Sequence, residues 1–245
     1  MNSFQVLLSL FILLCLGSNA QALDESERAI LLDSLVEVTA DAGECLGMGS
    51  GFYFGNDRTI VTVNHILISK RCGVANLVYA DQIDGRLVYC YGTTSSTKDG
   101  VIIMKARTAN DTPPSAFLYK SAKTLKRGEV VYIPVINFET GSKSIMTSVV
   151  VKKHNRVKSY DDFGVGDYWG VVSITPSTNE GSSGSPVVNE NLELVGVVIA
   201  GNDKLSYIVP VEGLIYEEPH RVKKTSRTYH YPRKVCPIDT ANTEG

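Results

Sequence analysis

From Gly51 onward the chain alternates short, β-branched-rich apolar runs with clusters of Gly, Asn, Asp, Ser and Pro. The runs fall at 51–54, 59–63, 75–79, 86–91 and 101–104, then at 130–135, 145–151, 170–174, 186–188, 194–200 and 206–209. No amphipathic helical pattern of about ten to fifteen residues recurs between them, so the texture predicts an all-β sandwich or barrel. No internal repeat is visible. Ahead of these runs, residues 24–37 place Ser, Glu and Asp before Ile30, Leu31, Leu32, Leu35 and Val36, which reads equally as a short capped helix or as a first strand.

The two ends and one interior stretch depart from that texture. An apolar run from Val6 to Leu16, broken only by Ser9, is too short to span a bilayer comfortably and precedes the small residues Ser18, Ala20 and Ala22. Residues 1–22 therefore read as a cleaved signal peptide, although the segment before the run lacks Lys and Arg; the rival reading is an uncleaved anchor. Residues 23–218 form the folded unit, with 106–124, which holds Pro113 and Pro114, as the connection between halves of comparable size. Within it Asn110-Asp111-Thr112 is a glycosylation sequon. Residues 219–245 are basic and polar without apolar periodicity, a solvated tail tied down through Cys236.

At 245 residues, 43% hydrophobic and 20% charged, the chain has material for one large domain or two small ones sharing an interface. A formal net charge of −2 supplies no field that would gather nucleic acid or an anionic membrane, so neither is an expected partner of the mature chain. The signal segment implies a secreted or extracytoplasmic location.

The strongest chemical signal is Glu180-Gly181-Ser182-Ser183-Gly184-Ser185-Pro186. A serine nucleophile needs a tight bend that projects its Oγ while nearby backbone N–H groups converge, and flanking glycines permit both the bend and a close approach. Because a serine hydroxyl is a weak nucleophile, a base is required, and the chain has four histidines. His220 and His230 lie in the tail, and His154 sits in the polar stretch Lys152-Lys153-His154-Asn155-Arg156, where a solvated side chain is expected. His65 follows the apolar run 59–63 and precedes Ile66-Leu67-Ile68, at the lip of a core. Asp99, just before the run 101–104, is the carboxylate best placed to orient the imidazole; Asp81 and Asp84 read as members of an exposed turn with Gly85. No metal cluster, phosphate loop or nucleotide fingerprint is present in the sequence, so no cofactor is expected.

Three motifs thus occur in the order His, Asp, Ser, and with them the chain resembles the trypsin-like (chymotrypsin-fold) serine peptidases, nearest in texture to HtrA-like and viral members. The resemblance covers about residues 47–214. Gly49-Ser50-Gly51-Phe52 and Thr62-Val63-Asn64-His65 look like the family's first motifs, and Asp99 before a strand ending at Lys105 looks like its aspartate motif. Gly181-Ser182-Ser183-Gly184-Ser185-Pro186 looks like its G-x-S-G-[GS]-P, and Tyr207-Ile208-Val209-Pro210 like its closing strand. Asn64 and Gly100 depart from the family's small and apolar residues at those places.

The resemblance implies two six-stranded antiparallel β-barrels, with room for a short helix at either terminus, and an active site between them. It implies Ser183 as nucleophile, His65 as general base, Asp99 as its orienting partner, and the N–H groups of Gly181 and Ser183 as oxyanion donors. Ser182 would supply backbone conformation only. Ser177, Ala200 and Gly201 would line the substrate pocket; with Ser177 uncharged, and Glu180 and Asp203 read as solvated loop charges, a small or apolar residue is expected before the scissile bond of a protein or peptide substrate. The alternative is an inactive homologue serving as a secreted binding or regulatory module. An α/β-hydrolase esterase is disfavoured, because strand-like residues follow the serine and the catalytic order differs. Once Cys15 leaves with the signal, Cys45, Cys72, Cys90 and Cys236 allow three pairings by counting. Cys45 with Cys72 is favoured because His65 lies inside the loop that they would close.

Overall fold

A computed structural model of the chain describes residues 23–54, 59–69, 71–75, 77–82, 85–89, 95–96, 101–105, 125–157 and 168–210. The signal segment, the connection at 106–124, the tail, Asp99, Gly100, Cys90, Cys236 and the sequon lie outside the described residues. The stretch that reads as either helix or strand is both in succession. Helix α1 (Glu25–Ser34) starts at a capping box, in which Asp24 Oδ1 accepts from the Glu27 N–H (2.8 Å) and Glu27 Oε2 accepts from the Asp24 N–H (2.8 Å). It runs directly into strand β1 (Leu35–Asp41), whose Val36, Val38 and Ala40 are buried at every second position.

The first half continues with β2 (Leu46–Phe54), β3 (Thr59–Val63), the one-turn helix α2 (Asn64–Leu67), β4 (Ile68–Ser69), β5 (Gly73–Val74), β6 (Leu77–Gln82), β7 (Gly85–Tyr89), β8 (Ser95–Ser96) and β9 (Val101–Lys105). Seven of these strands form one antiparallel sheet in the order β7-β6-β1-β2-β3-β9-β8, and β4 pairs with β5 as a separate hairpin. Strand β1 therefore lies inside the sheet, bonded to β2 on one side and β6 on the other. Residues 35–41 are thus an interior strand of the sheet.

The second half comprises β10 (Val130–Ile136), β11 (Lys143–Lys153), β12 (Arg156–Val157), β13 (Tyr168–Trp169), β14 (Val172–Thr175), β15 (Pro186–Val188), β16 (Leu194–Gly201) and β17 (Ser206–Pro210). Six of them close into an antiparallel barrel in the order β10-β11-β14-β17-β16-β15, the expected architecture for this half. Its interior is packed by Val131, Ile133, Val172, Ile174, Val195 and Ile208. A second core spans the two halves, joining Leu31, Val36, Phe52 and Val61 to Val188, Leu194, Val197 and Val209. Each such side chain contributes about 1.5–3 kcal/mol on burial, so the halves are held by apolar contact on a broad front.

The beginning of β2 is absent from the apolar pattern because it is glycine-rich, and the structure requires those glycines. A Cβ on Gly47 would collide with the Ile66 carbonyl oxygen, and one on Gly51 would stand 2.7 Å from Val38 Cγ2 and 3.0 Å from Ile60 Cγ2. On Gly49 it would collide with the Ile66 side chain and stand 2.9 Å from the Ser183 carbonyl oxygen. At Gly49 the close approach serves the contact between the halves, and at Gly47 and Gly51 it serves packing within the first.

Candidate active site

Residues 176–185 lead from β14 to β15 through a tight turn in which Ser182 N–H donates to Asn179 O (3.2 Å) and Ser185 N–H to Ser182 O (2.9 Å). Two further bonds, Gly184 N–H to Val198 O (2.8 Å) and Val198 N–H to Ser185 O (3.0 Å), fasten the turn to β16. Gly181 and Gly184 have φ of +84° and +92°, the left-handed region that glycine enters without steric cost. Ser182 and Ser185 point inward, 1% and 0% exposed, and neither Oγ has a hydrogen-bond partner among the described residues. Ser183 between them is half-buried and faces a cleft. The amides of Ser182, Gly184 and Ser185 are all used; those of Gly181 and Ser183 donate to no group among the described residues.

The turn is latched from the first half. Ser50 N–H donates to the Ser183 carbonyl (2.7 Å), Ser50 Oγ to the Gly181 carbonyl (2.8 Å), and Thr62 Oγ1 to the Ser50 carbonyl (2.7 Å). Gly184 lies so close that a Cβ there would collide with Ser50 O and stand 2.8 Å from Thr62 Oγ1. This latch uses the Gly49-Ser50-Gly51 and Thr62 positions singled out in the sequence.

His65 lies on α2, directly after β3, and is half-buried. Its neighbour Ile66 and the Ser183 carbonyl both crowd the Cβ side of Gly49, which brings the chain next to His65 and the chain at Ser183 together across the interface. Cys45 and Cys72 form a disulfide, as expected, closing a loop that contains His65. Asp99 lies outside the described residues, but the register Val63↔Val101 sets the start of β9 beside the end of β3, which leads into His65.

Beside Ser183 opens a cleft of about 940 Å³ whose walls include Ser177, Gly181, Ala200, Gly201, Tyr168 and Tyr207. The three residues expected to line a pocket are thus neighbours of Ser183. The Ser177 hydroxyl donates to Asn202 O (2.6 Å), and Ser206 Oγ accepts from Thr178 N–H (2.8 Å) and is hydrogen-bonded to Thr178 Oγ1 (2.8 Å). A Cβ on Gly201 would stand 3.1 Å from Ser206 Oγ, so this glycine keeps the wall thin over the hydroxyl cluster. Glu180 and Asp203 are exposed on the cleft lining, in keeping with solvated charges.

His154 differs from its sequence reading as a solvated side chain. Its Nε2 is 2.9 Å from Ser173 Oγ, and its ring meets Tyr207 edge-on at 5.6 Å between centroids. Burial, and then the Lys152 charge, hold its pKa below the ordinary histidine value. It supports a cleft wall from behind, and nothing in the local sequence signals this, because Ser173 and Tyr207 come from distant strands. Among the described residues no group of three His, Cys, Asp or Glu side chains could hold a metal ion, and no helix is long and apolar enough to cross a membrane.

Comparison with known proteins agrees with this geometry. Residues 49–197 match the family model of the trypsin-like peptidase domain. The "probable periplasmic serine endoprotease DegP-like" of Bartonella henselae is 24% identical over 172 residues, 67% of this chain; the chain spans 31% of that relative's length. Among solved structures, the active form of the Rv3671c protease from M. tuberculosis superposes with a TM-score of 0.60 at 19% identity, covering 76% of this chain and 79% of that one. The MamO protease domain from Magnetospirillum magneticum gives a TM-score of 0.59 at 18% identity, covering 76% and 95% respectively.

Proposed function

The chain belongs to the trypsin-like peptidase domain family, and from that premise we propose that it is a serine endopeptidase acting through Ser183, His65 and Asp99. The observation that carries the reading is the turn at Ser183, latched across the interface by Ser50, with the amides of Gly181 and Ser183 meeting no acceptor among the described residues at the edge of a cleft. In this mechanism Ser183 Oγ attacks the scissile carbonyl carbon as His65 takes its proton. The carbonyl electrons move onto oxygen, which the N–H groups of Gly181 and Ser183 stabilise, each worth on the order of 10²–10³ in rate. The tetrahedral species collapses to an acyl-enzyme as His65 returns the proton to the leaving amine, and water then repeats the sequence to release the acid. Asp99 holds the imidazole in the required tautomer and stabilises its charged form.

The neighbouring pocket sets the substrate class. Ser177 and Thr178 bring only neutral hydroxyls to this part of the lining, and these are already engaged with Asn202 O and with the buried Ser206 Oγ behind them. A Lys or Arg side chain would lose its water there without meeting a carboxylate at that depth, so a small or apolar residue is favoured before the scissile bond. The Cys45–Cys72 disulfide and the periplasmic relative support an extracytoplasmic location, where such a bond persists.

The test is hydrolysis of an unfolded protein substrate by the purified mature chain, beside Ser183→Ala and His65→Ala. Each variant is expected to lose about 10⁴-fold or more in kcat. A folded wild-type chain that cleaves nothing while still binding protein or peptide points instead to the inactive binding module.

A further inference from the structure

A glycine at φ +84° has no side chain to hold its orientation, so the amide of Gly181 faces the cleft only if its surroundings keep it there. One restraint is the Ser50 hydroxyl, which grips the Gly181 carbonyl and so fixes the peptide on the far side of that residue. The near side is held by a different element. The edge of the Phe138 ring is pressed against Gly181: a Cβ there would collide with its Cδ2 and Cε2 and stand 3.4 Å from its Cγ.

Phe138 belongs to the turn between β10 and β11, and that turn is stiff. Asn137 N–H donates to Ser142 O (2.8 Å), Gly141 N–H to Asn137 O (2.7 Å), and Asn137 Oδ1 accepts from the amides of Glu139 (2.9 Å) and Thr140 (3.1 Å). Directly after the turn, at the start of β11, Lys143 Nζ donates to Leu32 O (3.1 Å) and Leu35 O (2.6 Å), at the carbonyl end of helix α1. A cation at this pole is favoured by the helix dipole as well as by the two acceptors. Lys143 is half-buried; burial holds its pKa below the ordinary lysine value, and the Asp33 charge acts in the opposite direction. The turn behind Gly181 is thus tied to an element more than a hundred residues earlier in the chain (separations of 111 and 108 for the two bonds).

We propose that α1 and the β10–β11 turn form a positioning device for the oxyanion amides, with Phe138 as the wedge behind Gly181 and Lys143 as the tie to the helix. This rests on the reading of Gly181 as an oxyanion donor. Removing the wedge frees rotation about the Gly181 backbone, and the amide then spends part of its time turned from the developing oxyanion. The substrate pocket is untouched, since Phe138 and Lys143 do not line it. The loss therefore falls on the transition state and not on ground-state binding.

The experiment measures kcat and KM on a peptide substrate, affinity for a peptide aldehyde of the same sequence, and thermal melting, for wild type, Phe138→Ala, Lys143→Met and Lys143→Arg. The aldehyde reports the same amides directly, because its hemiacetal with Ser183 places an oxygen where the oxyanion forms. Losing one donor outright costs about 10²–10³ in kcat, so partial misplacement in Phe138→Ala is expected to lower kcat roughly 10- to 100-fold. KM should stay within about twofold of wild type and aldehyde affinity should fall in step with kcat. Lys143→Met should shift kcat in the same direction by a smaller factor, and Lys143→Arg should restore most of it. Wild-type kcat and aldehyde affinity in Phe138→Ala, or a loss confined to KM, overturns the proposal while leaving the peptidase reading intact. If Phe138→Ala does not fold, unchanged kcat in a folded Lys143→Met overturns it equally. A folded wild-type chain inert toward both substrate and aldehyde overturns the peptidase reading, and the proposal with it.

Discussion

Gly184→Ala places a methyl group in the interface between the two halves, at the point where the Ser183 turn is latched. Two costs add. At φ +92° a non-glycine residue carries roughly 1–2 kcal/mol of backbone strain. The methyl group also meets backbone and not a yielding side chain: it collides with Ser50 O and stands 2.8 Å from both the Ser50 carbonyl carbon and Thr62 Oγ1. Relief requires the turn to back away from β2, which stretches the Ser50 N–H to Ser183 O bond (2.7 Å) and the Ser50 Oγ to Gly181 O bond (2.8 Å). Each is worth about 0.5–1.5 kcal/mol net, and more where a buried group is left unpaired. The total is about 2–5 kcal/mol, or a fall in melting temperature on the order of 10 °C for a domain of this size. Gly128→Ala is the control: φ is +88°, yet nothing lies within 4 Å of its Cβ position, so only the strain of roughly 1–2 kcal/mol should appear. Thermal melting and urea unfolding of both variants, with peptide hydrolysis alongside, measure the difference. Equal destabilisation of the two, or wild-type hydrolysis by Gly184→Ala, would refute the latch.

Ser185→Ala removes a fully buried hydroxyl whose Oγ has no partner among the described residues, and should raise stability by about 1 kcal/mol at an unchanged urea slope; a loss would reveal a hydrogen bond that the hydroxyl does make. His154 has a folded pKa depressed below its unfolded value near 6.5, so its contribution is complete above that value and is lost as pH falls through the folded one. His154→Gln should accordingly flatten the acid limb of the stability profile below about pH 6.5, and an unaltered limb would refute the assignment. Reducing the Cys45–Cys72 bond, whose partners are 27 residues apart, should cost roughly 3–4 kcal/mol by loop entropy. A melting temperature insensitive to reductant would contradict that role.

What the sequence made legible is local. The motif around Ser183 carries its own glycines, and the apolar run before His65 marks a strand end, so both can be read without knowing what they touch. The closed barrel of the second half was legible for the same reason, since each of its strands is a short apolar run bounded by turn residues. The start of β2 was not: Gly47, Gly49 and Gly51 dilute its apolar signal, and their necessity comes from Ile66, Ser183, Val38 and Ile60 on other elements. Strand β1 was obscured because its residues follow an amphipathic helix without a break, so helical and extended periodicities overlap. The contacts that support the candidate site, Ser50 to Gly181 across 131 residues and Lys143 to the end of α1, are long-range and leave no trace in local pattern. His154 was misjudged for that reason too: its polar neighbours in sequence are not its neighbours in space.

Reaction of the purified mature chain with a fluorophosphonate, with the adduct located by mass spectrometry, tests the central claim most directly. An activated serine forms a stable phosphonyl ester, whereas an ordinary surface hydroxyl does not react at a comparable rate. The account predicts one adduct, on Ser183, absent from Ser183→Ala and greatly slowed in His65→Ala. A folded wild-type chain that takes no label at Ser183 would contradict it.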